Sequence, residues 1–98
     1  MSLPLILRPE AEQVPAEARD WYERQRDALG GEFLTAVEQV FTRIGEFPES
    51  YAAEYWGVRR AGLRRFPYVV YYRVTTGRLE VLAVLHGSRH PRIWRSRA

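Results

Sequence analysis

Phe66-Pro67-Tyr68-Val69-Val70-Tyr71-Tyr72-Arg73-Val74-Thr75-Thr76-Gly77-Arg78-Leu79-Glu80-Val81-Leu82-Ala83-Val84-Leu85-His86 is the stretch on which the fold turns. It is rich in β-branched and aromatic residues and is interrupted once, at Thr75-Thr76-Gly77-Arg78. It reads as two strands, Phe66–Val74 and Leu79–His86, joined by a hairpin turn in which Gly77 supplies positive φ. Pro67 cannot donate to a ladder and marks a strand start or an edge. Strand alternation puts Phe66, Tyr68, Val70, Tyr72 and Val74 on one face, with Arg65, Val69, Tyr71 and Arg73 on the other. In the second strand Leu79, Val81, Ala83 and Leu85 share one face, and Glu80, Leu82, Val84 and His86 share the opposite one. The first set in each strand is uniformly apolar and should meet helices. The second mixes arginines with Val, Leu and Tyr, and has no obvious cover from its own chain. An apolar patch rimmed by arginine marks a partner surface.

Upstream, Val58–Leu63 reads as a further strand and Glu49–Gly57 as an aromatic loop (Tyr51, Tyr55, Trp56). Phe33, Val37, Val40, Phe41, Ile44 and Phe47 recur at helical spacing, which predicts a helix over about Glu32–Glu46, stopped by Pro48. Gly30-Gly31 should break the chain before it. Ala11, Val14, Ala18, Trp21, Tyr22 and Leu29 form another apolar stripe. They predict a first helix opening near Pro9, with a kink at Pro15 or its main body starting there. Trp21 and Tyr22 are expected in the core. Leu5-Ile6-Leu7 reads as a short first strand. Ninety-eight residues are expected to form one domain, 1–98, with 89–98 as a basic tail.

Charge divides the chain. Residues 1–57 hold five Arg and eleven Asp/Glu, a net of −6; residues 58–98 hold ten Arg and one acid, Glu80, a net of +9. A basic half threaded with aromatics seeks an acidic partner, although an acidic helical layer beside a basic sheet also serves solubility. The absence of Lys has two readings: selection for the planar arginine fork, which grips carboxylate and phosphate bidentately, or a bias of the coding sequence. No Cys is present, which removes disulfides, thiol catalysis and Cys-based zinc sites. The start of the chain lacks the pattern of a signal peptide, and no apolar run approaches a membrane span. The expected location is cytoplasmic.

His86 is placed at a strand end. It reads either as a general acid or base, supported by Arg65 and Arg73 in RNA cleavage, or as a strand-end residue bonded to the tail. His90 reads as solvated. The two histidines lack nearby carboxylates and make a poor metal site. Neither a metal nor a cofactor is expected, and no Gly-rich phosphate loop or nucleophile elbow is present.

Trp21-Tyr22-Glu23-Arg24-Gln25, Leu29-Gly30, Val58-Arg59-Arg60, Phe66-Pro67-Tyr68-Val69-Val70-Tyr71-Tyr72 and Val84-Leu85-His86-Gly87-Ser88-Arg89-His90-Pro91-Arg92-Ile93-Trp94 together resemble the RelE/ParE superfamily of toxins from type II toxin–antitoxin modules, often called plasmid stabilisation proteins. The resemblance spans residues 5–94. It implies an α+β fold in the order β-α-α-β-β-β, a helical hairpin packed on a small, mainly antiparallel sheet. RelE-like members cut mRNA on the ribosome, and ParE-like members poison DNA gyrase. Phe66-Pro67-Tyr68 stands where many of the RNA-cleaving members carry an arginine, and it is similar to the ParE-like pattern. The resemblance therefore implies a gyrase poison with no favoured catalytic residue. The alternative is a ribosome-dependent mRNA endoribonuclease using Arg65, Arg73 and His86.

The expected target contacts are Arg59, Arg60, Arg64, Arg89, Arg92, Trp94 and Arg95. The expected antitoxin contacts are Arg65, Val69, Tyr71, Arg73, Leu82 and Val84. The partners implied are an acidic antitoxin that folds on binding, with its helix against the hairpin near residues 16–46, and DNA gyrase, the alternative being ribosome and mRNA. No membrane is implied, and a toxin–antitoxin hetero-oligomer is.

Overall fold

The helical hairpin turns three residues before the glycines expected to turn it. In the computed structural model, which describes residues 3–87, β1 (Leu5–Leu7) leads into α1 (Glu10–Gln25) and α2 (Leu29–Glu46). Arg26 is extended (φ −161°, ψ 137°) and Ala28 is left-handed (φ 72°). Gly30 and Gly31 lie inside the first turn of α2. An L-residue in left-handed backbone costs about 1–2 kcal/mol. The Glu23 side chain offsets it: its carboxylate accepts from the Ala28 amide at 3.0 Å and from the Gly30 amide at 2.9 Å. Those amides are donors that a helix start leaves without a backbone partner. Gly30 serves the helix crossing instead. A Cβ there would sit 2.7 Å from the Arg19 carbonyl oxygen and 2.9 Å from Glu23 Oε1. α1 runs through Pro15 without a break, so the helix does not restart there.

Among the described residues the sheet has five strands, ordered β1-β5-β4-β3-β2. They are β2 (Ala53–Tyr55), β3 (Val58–Gly62), β4 (Tyr68–Thr75) and β5 (Arg78–His86), with β1 parallel to β5 and the other pairs antiparallel. The architecture is the expected α+β one. β2 is an addition within the segment read as loop: it pairs with β3 through the two-residue turn Trp56-Gly57. β4 begins directly after Pro67, whose carbonyl accepts from the Gly87 amide at 2.8 Å.

One bulge changes the alternation. Tyr71 lies opposite Ala83, but Tyr72 lies opposite Val81, so β5 carries one extra residue, Leu82. A one-residue insertion exchanges the two faces for everything beyond it. Leu79 and Val81 face the helices with Val70 and Tyr72, as expected. Beyond the bulge it is Val84 that joins them, against Val40 and Ile44 of α2. Ala83 and Leu85, expected on the helix side, fall instead on the far face with Val58, Val69, Tyr71 and Leu82. Val84 is thus corrected from the outer face to the main core.

A third cluster joins the helices to the start of β4. Tyr22, Phe33, Phe66 and Tyr68 meet edge-on or tilted, with ring centroids 4.9–6.3 Å apart. Such pairs contribute about 0.5–1.5 kcal/mol each beyond area burial. Tyr22 is half-buried there, but Trp21 is 52% exposed and is not core.

Replacing Gly30 with Ala separates packing from propensity. Helix propensity alone favours Ala by about 1 kcal/mol. The backbone clash with Arg19 should reverse the sign, leaving a net destabilisation of about 1–2 kcal/mol, read as a lower urea midpoint at unchanged slope.

Candidate functional site

The far face of the sheet is not the exposed patch that alternation suggested. Val69, Tyr71, Leu82 and Leu85 are at most 8% exposed. Of the expected antitoxin contacts, then, four apolar side chains are buried: Val69, Tyr71 and Leu82 on this face and Val84 on the other. The assumption behind the expectation fails, because a buried side chain offers no free surface.

The charged positions are mostly engaged. Glu80, the lone acid of the basic half, accepts at Oε1 from Arg73 Nε at 2.8 Å and Arg8 Nη2 at 3.2 Å, with Arg73 Nη2 also at 2.7 Å. Burial pushes the Glu80 carboxyl up, but the two guanidinium groups outweigh it and hold it below the ordinary carboxylate value. Arg65 does not share a strand face with Arg73. It lies in the β3–β4 turn with φ 70°, over the Phe66 ring, and donates to Glu32 of α2 from both terminal nitrogens at 3.3 Å. Arg26 binds the same carboxylate at 2.8 Å. Hydrogen bonds from Arg26 and then Arg65 lower the Glu32 carboxyl from its usual value.

Arg59, expected to meet the target, is turned inward. It donates to the carbonyls of Tyr51 and Glu49 and so fastens the segment after α2. Beside it the Tyr72 phenol donates to the Pro48 carbonyl at 2.6 Å. Burial pushes that phenol up to about 12, despite the opposing Arg59 charge. Two described arginines of the expected target set remain outward. Arg60 is exposed, 5.9 Å over the Tyr71 ring. Arg64 is exposed at the β3–β4 turn with no ion pair among the described residues. Arg89, Arg92, Trp94 and Arg95 lie outside the described residues.

The alternative nuclease set is dispersed. His86 is opposite Tyr68 at the end of β5, ring centroids 5.4 Å apart, on the helix side of the sheet. Arg73 is on the far face, paired with Glu80 six residues along β5. Arg65 belongs to the helical layer through Glu32. General acid–base catalysis needs its groups within hydrogen-bond reach of one reacting centre, and these three point to three places.

An apolar groove runs between the helices and reaches β1 at Leu7. Leu7, Ala11, Pro15, Ala16, Leu34 and Phe41 line it, and Glu12 and Glu38 stand at its rim. Small residues on α1 leave room for a bulky side chain between the helices. The position of this groove was legible only as "the exposed side of the hairpin". Its signal in the sequence was the pairing of small α1 residues with large α2 ones. Arg8, one of the two arginines that hold Glu80, had no such signal, because its partner is 72 residues away.

A helical hairpin on a small mixed sheet with a parallel first strand is the architecture that the resemblance to the RelE/ParE superfamily implied. Residues 5–91 match the ParE toxin of the type II toxin–antitoxin system, parDE, and the chain belongs to that family. It is similar to Toxin ParE2 of Mycobacterium tuberculosis, in the strains CDC 1551 / Oshkosh and ATCC 25618 / H37Rv. Identity to each is 38% over 55 residues, 56% of this chain and 52% of the relative. The match thus spans about half the length of these curated relatives. The fold is also that of a solved structure described as the chromosomal ParDE TA system from P. aeruginosa. There the TM-score is 0.62 at 19% identity, covering 87% of this chain and 96% of the other.

The Arg8–Glu80–Arg73 cluster gives a pH-dependent test. The Glu80 carboxyl is lower in the folded state, so its contribution is complete above the unfolded value of about 4.3 and is lost as pH falls through the folded one. Its side chain is 15% exposed, so solvent screening reduces the effect below that of a fully buried pair. Glu80→Gln should cost about 1–2 kcal/mol at pH 7. The gap between parent and variant should narrow as pH falls below that unfolded value, followed by thermal melting.

Proposed function

We propose that this ParE-family chain poisons DNA gyrase, binding it and holding it with DNA broken, and that a cognate antitoxin neutralises it. The observation carrying this reading is the dispersal of Arg65, Arg73 and His86, which leaves no assembled acid–base set for RNA cleavage among the described residues. A poison needs binding energy and no proton transfer. Arg60 and Arg64, exposed on the basic half, supply contacts to an acidic target surface, joined by Arg89, Arg92, Trp94 and Arg95 of the tail. The toxin acts in the cytoplasm, where gyrase and DNA are found.

The antitoxin docks an apolar stretch into the groove between α1 and α2. This assignment rests on the groove being the open apolar feature of the helical layer, while the far sheet face is buried. The Glu12 and Glu38 rim adds a condition: the stretch facing the groove carries no acid there, and its Asp and Glu residues pair elsewhere with exposed arginines. Apolar contact supplies most of the stabilisation, and the ion pairs set register and association rate. A segment that is disordered alone and folds on this surface satisfies both conditions.

Two assays on purified components test the target: supercoiling by gyrase and cleavage of ribosome-bound mRNA. The toxin should inhibit the first and leave the second unchanged. Gyrase unaffected with mRNA cut overturns the reading. His86→Ala should retain toxicity, whereas a nuclease using that imidazole would slow about 10²–10⁴-fold.

The antitoxin site has its own test. Ala16 is exposed on α1, so Ala16→Phe fills the groove from its open side without replacing a buried side chain. It should weaken antitoxin binding about tenfold or more, in titration calorimetry, at an unchanged melting temperature. Undiminished affinity would place the antitoxin elsewhere.

A further inference from the structure

Trp56 is the most exposed large apolar side chain among the described residues, at 79% against 60% for Phe47 and 52% for Trp21. It stands at the tip of the β2–β3 hairpin. Trp56 has φ 51° and Gly57 φ 76°, so both central residues of the turn are left-handed. That is the type I′ geometry that matches strand twist and ordinarily takes Asn-Gly. Glycine is at ease there and tryptophan is not: a bulky residue at positive φ is a genuine outlier. Two unfavourable terms therefore coincide at one residue, a strained backbone and a large ring left in water. Its ring meets that of Tyr55, with centroids 5.9 Å apart, and most of the indole is left uncovered.

The hairpin is built as a firm mount. Tyr55 packs against the far-face cluster of Val58 and Tyr71. Ala53 pairs with Arg59, whose guanidinium also grips the Glu49 and Tyr51 carbonyls. A tryptophan held in advance in one place loses little freedom on binding, and tryptophan is the residue most enriched among binding hot spots. Observed strain on an exposed residue held by a rigid base points to a contact outside the chain.

Charge selects the kind of partner. Although it adjoins the basic half, segment 49–57 holds two acids, Glu49 and Glu54, and no arginine. Both acids are exposed. A phosphate backbone is repelled by such a tip. An apolar slot on a protein, with a cation at its rim, complements it: the cation lies against the indole face and pairs with Glu54.

We infer that Trp56, carried on the β2–β3 hairpin, is the anchor by which this toxin enters an apolar slot on its protein target, a slot whose rim bears an arginine or lysine facing Glu54. This rests on the toxin having a protein target and not on which protein that is.

Trp56→Asn tests it, because Asn-Gly is the dipeptide the turn prefers. The variant should melt at the parent's temperature or above and bind antitoxin equally, yet arrest growth about tenfold less effectively at equal expression. Glu54→Lys should also reduce growth arrest. An Asn variant as toxic as the parent overturns the inference, as does one that melts lower, since Trp56 would then be structural. A parallel loss of affinity for a short DNA duplex would make the tip a nucleic-acid contact and overturn the protein slot. A parent that arrests growth without touching gyrase overturns the gyrase reading alone. A parent that arrests no growth overturns both.

Discussion

The β4–β5 ladder carries an extra residue, Leu82, opposite the Tyr71–Tyr72 step, and the placement of side chains on both faces of the sheet follows from it. Without the bulge, strict alternation would send Val84 away from the helices and Leu85 toward them. With it, Leu79, Val81 and Val84 line up with Val70 and Tyr72 against Val40 and Ile44. Leu82, Ala83 and Leu85 join Val58, Val69 and Tyr71 on the opposite side. A central strand buried on both faces is uniformly apolar rather than alternating. That is why residues 79–85 of β5 read Leu-Glu-Val-Leu-Ala-Val-Leu with a single charge, Glu80. That charge sits on the far face before the bulge, where Arg8 and Arg73 hold it.

The same constraint governs which arginines are available for function. The basic half suggests a broad cationic surface, yet the fold employs much of it internally. Arg59 fastens the carbonyls after α2, Arg73 neutralises Glu80, and Arg65 ties the β3–β4 turn to the start of α2 through Glu32. Arg60 and Arg64 remain outward among the described members of that set. Affinity for the proposed acidic partner would then rest on a few positioned groups rather than on net charge, which contributes mainly to the rate of encounter.

The two proposed recognition surfaces lie on the helical layer and the hairpin tip. The groove between α1 and α2 depends on the close crossing that Gly30 permits and on the small residues Ala11 and Ala16. The Trp56 tip depends on β2, three residues long, and on Arg59 beneath it. These features lie on different elements, so one surface can be held by a neutralising partner while the other addresses a target. In a family of toxins from toxin–antitoxin modules, the proposed separation would give each partner its own contacts.

Local pattern was enough for the element order, because helical and strand periodicities of apolar residues are written in consecutive positions. Leu5–Leu7, the two amphipathic helices, the β4–β5 hairpin with Gly77, and Pro67 as a strand start were all legible in this way. So were the division of charge and the family resemblance, which rests on short runs such as Phe66-Pro67-Tyr68. The hairpin break was misplaced because a glycine pair signals a turn equally well as a close contact, and only the Arg19 carbonyl against Gly30 tells which. The face of Val84 depended on a bulge, which leaves no mark in composition, and the burial of Val69, Tyr71 and Leu82 on packing with residues of other elements, such as Val58 and Val14. Arg8 meeting Glu80 and Arg65 meeting Glu32 were equally hidden. An ion pair between distant positions exists only once the strands and helices have been brought together, and that assembly is what the tertiary structure alone decided.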